Sequence, residues 1–313
     1  MNRKVLAGII VAAVFLSAIG VYFAAFTSIG RAGNYCPSVR SSPQSINNSF
    51  TIFAVGNRSG VYSGSGAISW CIYGRSGNLE KSYQTNRILA GVAYSANGEY
   101  AAAAGYKVAP GPAGAEVNGS VYLFNKNGQM EWSISSPEPI FAVDINGNGS
   151  VIMTSDSVLL YINNQGKVLW NYSKYGPTVG ALVDNGSSVI AGISMIPFAN
   201  HSSFGSSLTM FDAKGNVVWN VSLPDQLFDS TSSLALSDGY IAAGLSNTGY
   251  NGTLNYYNMQ GKLIWSKNVD SAILGVNFTS NQSAILVETN WGHDTFDLSG
   301  NVIQNQTAPH STD

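Results

Sequence analysis

The decapeptide FDAKGNVVWN, residues 211–220, reads as a β-hairpin. An aromatic residue ends one strand, Asp212 opens the turn, Gly215 takes a positive φ, and Trp219 lies on the return strand. The same phrase recurs around Gly77, Gly128, Gly166, Gly215, Gly261 and Gly300. Four residues before each glycine stands Tyr73, Phe124, Ile162, Phe211, Tyr257 or Phe296. Three before stands Gly74, Asn125, Asn163, Asp212, Asn258 or Asp297, and two after stands Leu79, Met130, Val168, Val217, Leu263 or Val302. Four after stands Trp132, Trp170, Trp219 or Trp265 in the middle copies, but Lys81 and Gln304 in the first and last.

The glycines are spaced by 51, 38, 49, 46 and 39 residues. A period of about 40–50 residues marks a repeat architecture. The segments between the phrases are short alternating strands, among them IFAVDI, VIMTS and VLLYI, so helical repeats are excluded. Adding the tryptophan strand gives strands A to D in each unit. The expectation is an all-β, six-bladed β-propeller of four-stranded blades over residues 51–307. In the first unit TIFAVG is expected as strand A, GVYSG as B, ISWCIYG as C and NLEKSYQ as D. Each tryptophan is expected to wedge one blade against its neighbour.

DAKGNVVW, NNQGKVLW and NMQGKLIW, with NKNGQMEW less closely, resemble the pyrroloquinoline-quinone enzyme repeat. In that family the turn leads to an outer-strand tryptophan that docks on the next blade. The resemblance implies a propeller of the non-enzymatic branch. A quinoprotein dehydrogenase would call for calcium ligands, a catalytic Asp and, in many members, adjacent cysteines. No matching set is present, and no cofactor is expected.

Other chemistry is equally absent from the motifs. His201, His293 and His310 lack metal-ligand spacing. There is no G-x-S-x-G elbow and no P-loop. DINGNG, residues 144–149, opens like a calcium-binding loop, but Ser155 stands where its twelfth-position Glu belongs; it reads as a hairpin turn.

Charged residues make up 10% of the 313-residue chain, against about 25% in ordinary domains. The net charge of −2 gives no footprint for nucleic acid. A surface of Ser, Asn, Thr and Gly keeps its solubility across pH, which suits a cell exterior. Residues 5–29 are 25 in a row without a charge, preceded by Arg3 and Lys4. That is longer than a secretory h-region and long enough to span a bilayer. The expectation is a signal anchor over residues 1–29, a linker over 30–50, the propeller, and a tail over 308–313. The basic flank places the amino terminus inside and the propeller outside a cell membrane crossed once.

Cys36 and Cys71 are the only cysteines and are expected to form a disulfide in that compartment. N-x-S/T acceptors stand at Asn47, Asn57, Asn118, Asn148, Asn171, Asn185, Asn200, Asn220, Asn251, Asn277, Asn281 and Asn305. Glycans belong on exposed loops of exported proteins, so several of these are expected to be modified.

The long connections are all B–C or D–A, which leave a blade at one end. They run from Gly105, Ser194, Ser222 and Ser246. Tyr106, Lys107, Phe198, His201, Phe204, Asp225, Phe228 and Tyr250 are the contact-capable residues expected on that end. The leading expectation is a membrane-anchored, glycosylated propeller that binds or scaffolds a protein or glycan at the cell surface. The alternatives are a quinoprotein-like oxidoreductase with a degenerate site and a structural envelope glycoprotein.

Overall fold

The computed structural model describes residues 50–56, 68–74, 78–85, 87–111, 114–155, 158–173, 178–182, 188–194, 206–223, 230–237, 239–246, 251–279, 281–290 and 292–305. All of them belong to one compact unit that begins at Asn34. Among these residues no helix is long and apolar enough to cross a membrane; the segment expected to do so lies outside them.

The described chain forms antiparallel sheets in sequence order. The first contains β1 (Phe50–Gly56), β2 (Ile68–Gly74) and β3 (Leu79–Thr85). The second contains β4 (Ile88–Tyr94), β5 (Tyr100–Gly111), β6 (Gly114–Asn125) and β7 (Met130–Ser136). The third contains β8 (Ile140–Ile145), β9 (Val151–Ser155), β10 (Leu159–Ile162) and β11 (Val168–Tyr172). The fourth contains β12 (Thr178–Leu182), β13 (Ser188–Ser194), β14 (Ser206–Asp212) and β15 (Val217–Leu223). The fifth contains β16 (Ser230–Ser237), β17 (Tyr240–Ser246), β18 (Gly252–Asn258) and β19 (Leu263–Val269). The sixth contains β20 (Ile273–Phe278), β21 (Ala284–Thr289), β22 (Gly292–Asp297) and β23 (Val302–Asn305). Each is a meander of sequential neighbours.

The recurring phrase builds each turn into the last strand of its sheet. In FDAKGN, Asp212 Oδ1 accepts the N–H of Lys214 at 2.8 Å and of Asn216 at 2.9 Å. Gly215 donates its N–H to Asp212 O and sits at φ +84°. The ladder then shifts by one residue between Met210 and Phe211. This is a type I turn closed by a glycine bulge, and the αL position selects glycine. Asn125, Asn163, Asn258 and Asp297 make the same pair of side-chain bonds to their own turns. DINGNG likewise forms a hairpin turn, with Asn146 Oδ1 accepting from Asn148 and Ser150.

Burial follows the period of two. On β5, Ala101 and Ala103 pack with Trp70, Ile72 and Phe124, toward the first sheet. Ala102 and Ala104 pack with Ile140, Val151 and Met153, toward the third. The middle strands β9, β13 and β17 divide their residues between neighbours in the same way. The apolar core is therefore distributed along the joints between successive sheets, as in a β-propeller. Among the described residues no such cluster joins the sixth sheet to the first.

The first unit differs from its expected strand order. β1 pairs directly with β2, in the register Phe53↔Cys71, so TIFAVG stands immediately beside ISWCIYG, at one edge of the described sheet, and not two strands away from it. The described sheet is three-stranded, and GVYSG lies outside the described residues. Alternation of side chains does not say which strands are neighbours; backbone pairing does.

Candidate binding end of the propeller

The connection from Gly105, expected as a loop, is a continuous hairpin. β5 and β6 stay paired from Tyr100↔Asn125 to Gly111↔Gly114. Their neighbours stop earlier: β4 ends its pairing at Ile88↔Tyr106 and β7 at Gly119↔Ser136. Residues 107–111 and 114–118 therefore form a two-stranded arm beyond the sheet, about 17 Å long at the usual strand rise. Both its edges lack strand partners among the described residues. Pro110 is compatible with such an edge, where no ladder donor is required.

The arm is fixed at its base. Arg87 Nη1 donates to Asn118 O at 3.1 Å and to Asn118 Oδ1 at 2.8 Å. Arg87 O accepts the indole N–H of Trp70 at 3.2 Å. Trp70 is 1% exposed and stands edge-on to Tyr122 at 4.7 Å. It fills the space left by Gly105, where a Cβ would fall 2.7 Å from the ring. Anchoring thus runs from the core through Arg87 to Asn118.

Tyr106, from the expected binding face, is half-buried and packs on the Trp70 cluster, so part of its ring is committed to the core. Lys107 is half-buried at the arm's base, opposite Asn118, and Glu116 is exposed beside it. Phe198, His201, Phe204, Asp225, Phe228 and Tyr250 lie outside the described residues. At the same end Ser155 Oγ donates to Glu138 Oε2 at 2.7 Å. Asp294 on β22 is buried, and its Oδ1 has no hydrogen-bond partner. Burial pushes its carboxyl above the ordinary carboxylate range; His293 opposes this and Asp270 adds to it. Among the described residues no group of three or more His, Cys, Asp or Glu side chains could hold a metal.

The opposite end presents tight polar turns. They are tied across sheets by Asn97 Nδ2, which donates to Gly147 O at 2.7 Å, and by Ser237 Oγ, which donates to Gln282 Oε1 at 2.7 Å.

The tryptophans sit between a last strand and the turn of the following sheet. Trp132, Trp170, Trp219 and Trp265 lie against Gly166, Gly215, Gly261 and Gly300. Trp132, Trp219 and Trp265 donate their indole N–H to Asn164 O, Met259 O and Leu298 O. At the first joint Ile72 of β2 lies against Gly128, and Tyr83, two residues beyond Lys81, reaches the same turn. Its hydroxyl donates to Gly128 O at 3.0 Å and accepts the N–H of Met130 at 3.2 Å. The repeat does not point to Tyr83, because Lys81 occupies the tryptophan's register position opposite Ile72 and Tyr83 stands two residues further along the strand.

Cys71 is fully buried, and no described cysteine is free; Cys36 lies outside the described residues. Asn47, Asn57, Asn185 and Asn200 also lie outside. Of the remaining acceptors Asn118 is half-buried, and Asn148, Asn171, Asn220, Asn251, Asn277, Asn281 and Asn305 are exposed.

The profile of the PQQ-like repeat family described as "Outer membrane protein assembly factor BamB" matches residues 61–290. The chain belongs to this family. Among solved structures it is similar to BamB from Moraxella catarrhalis, at 15% identity and a TM-score of 0.51, over 82% of this chain and 76% of that one. It is also similar to Sqt1 from Saccharomyces cerevisiae, at 14% identity and a TM-score of 0.55, over 77% of this chain and 70% of that one. Both likenesses are of fold. No curated protein sequence matches the chain.

Proposed function

We propose that this member of the BamB-like family is a membrane-anchored, extracytoplasmic propeller of six blades that binds or scaffolds a protein or glycan at the cell surface. Residues 1–29 are its anchor, residues 51–307 its propeller, and Cys36–Cys71 a bridge that ties the linker to the first blade. Its sequons carry glycans, and the inner strand of the first blade comes from outside the described residues. The uncharged stretch over 5–29 and the sequons support the location. The family's description as an assembly factor supports a scaffolding role.

The observation that carries the reading is the β5–β6 arm, an extended recognition element on a rigidly packed scaffold, held at its base by Arg87. The test replaces residues 108–117 by Asn-Gly and compares partner recovery from solubilised native membranes. Loop-closure entropy changes slowly with length, so folding is expected to persist. Partners recovered with the full chain are expected to be lost. Unchanged recovery by the folded, shortened protein would refute the arm as the binding element.

A further inference from the structure

The last strand of each sheet is an edge: β3, β7, β11, β15, β19 and β23 are hydrogen-bonded on one side only among the described residues. Their first residues are exposed and apolar. Val217 and Val218 are 48% and 56% exposed, Val302 and Ile303 56% and 60%. An exposed apolar edge pairs with other edges unless something blocks it, and a charge within the strand is the usual block.

Charges are present in half of these strands. β3 contains Glu80 and Lys81, β7 contains Glu131, and β19 contains Lys267. VLWNY (β11), VVWNVSL (β15) and VIQN (β23) contain none. Those three each place an N-x-S/T acceptor five residues after the turn glycine: Asn171, Asn220 and Asn305. The three charged strands have Ser82, Ser133 and Ser266 at that position. Every outer edge therefore carries either a charge or an exposed acceptor, and none carries both.

We infer that Asn171, Asn220 and Asn305 carry N-linked oligosaccharides that guard the uncharged outer edges against edge-to-edge pairing. The inference rests on the extracytoplasmic, glycosylated reading above. In the modification, a membrane transferase moves the sugar from a lipid-phosphate-linked oligosaccharide. The anomeric C1–O bond breaks, C1 bonds to Asn Nδ2, the amide loses one proton, and the lipid phosphate leaves with the bonding electron pair. Asn220 Nδ2 donates to Thr209 Oγ1 at 2.6 Å; the glycosylated amide keeps one N–H for that bond. A hydrated glycan at this position covers the neighbouring apolar pair and keeps a second strand at a distance, the role that Glu131 and Lys267 fill elsewhere.

The full chain is purified from its native membrane and its glycopeptides are mapped. Asn171, Asn220 and Asn305 are expected to be occupied. Glycans elsewhere with these three bare would overturn the inference and leave the glycoprotein reading standing; no glycan at any acceptor would remove both. Next, Ser173→Ala, Ser222→Ala and Thr307→Ala are combined, which abolishes the three sequons and leaves each asparagine in place. Sedimentation velocity in detergent is compared with a control triple, Asn148→Gln, Asn251→Gln and Asn277→Gln. The first triple is expected to lose monomer severalfold relative to the control. Adding Leu169→Lys, Val218→Lys and Ile303→Lys is expected to restore it. A first triple that stays as monomeric as the control overturns the guarding role, as does association that the lysines fail to reverse.

Discussion

Gly215 of the fourth sheet lies against the indole of Trp170 from the third, where a Cβ would stand 2.7 Å from the ring's Cγ. The glycine is held at φ +84°, so conformation and space both exclude a side chain. The same pairing of wedge and bare backbone repeats at Gly166, Gly261 and Gly300.

Gly215→Ala is expected to lower stability by about 2–4 kcal/mol, combining backbone strain with overpacking. Chemical denaturation measures it. A loss within error of zero would mean that the joint between third and fourth sheets is looser than this geometry.

Trp170 and Trp219 should respond differently to phenylalanine. Trp219 Nε1 donates to Met259 O at 2.9 Å, whereas Trp170 Nε1 is buried without a partner. Trp219→Phe forfeits a hydrogen bond and is expected to cost about 1 kcal/mol more than Trp170→Phe. Full truncation of Trp170 to alanine is expected to cost about 3–5 kcal/mol. Equal losses for the two phenylalanine variants would contradict the difference in bonding.

Tyr83→Phe removes a hydroxyl that both donates to Gly128 O and accepts from Met130 N. The expected loss is about 1–3 kcal/mol, with circular dichroism unchanged. Wild-type melting would show that the first joint does not depend on this residue.

The recurring turns were legible in the sequence because their chemistry is local: an Asn or Asp side chain, a glycine at positive φ and a one-residue bulge are all contained in six residues. The sheets followed from them. What crosses between strands or sheets was less legible. Tyr83 and Trp70 act on residues of the next sheet, and no spacing rule links them to Gly128 or Gly105. Alternation marks TIFAVG and ISWCIYG as strands but does not say that they are direct neighbours, which only the hydrogen bonding of β1 to β2 shows. The arm was hidden by its own composition. Pro110 and the glycines near the tip signal a loop, yet a hairpin with open edges accepts them. Of the expected binding residues, Tyr106 packs its ring on the Trp70 cluster, a structural reason for an aromatic residue there.

The aspartate turns should titrate and the asparagine turns should not. The Asn216 side-chain amide, donating to Asp212 Oδ2 at 2.9 Å, and then the Asn216 backbone N–H hold Asp212 below the ordinary carboxylate range. Asn301 does the same for Asp297. A depressed folded value contributes stability above the ordinary range and loses it as pH falls through the folded value. Melting temperature is therefore expected to fall more steeply below about pH 4 in the wild type than in Asp212→Asn/Asp297→Asn. Parallel curves would refute the linkage.

Asp294 carries the opposite sign. Its carboxyl is raised, chiefly by burial, so stability is lost as pH rises from the ordinary range through the folded value. Asp294→Asn is expected to be more stable than wild type at neutral pH, with the advantage vanishing in acid. A destabilised variant at pH 7 would indicate that the ionised carboxylate has a favourable role.

The account stands or falls on which end of the propeller meets a partner. The direct measurement is site-specific photocrosslinking in intact cells, with the probe at Lys107 on the arm or at Lys214 in a tight turn of the opposite end. The account predicts discrete crosslinked species from position 107, formed outside the cytoplasmic membrane, and none from position 214. Discrete products from position 214 with none from position 107 would contradict it.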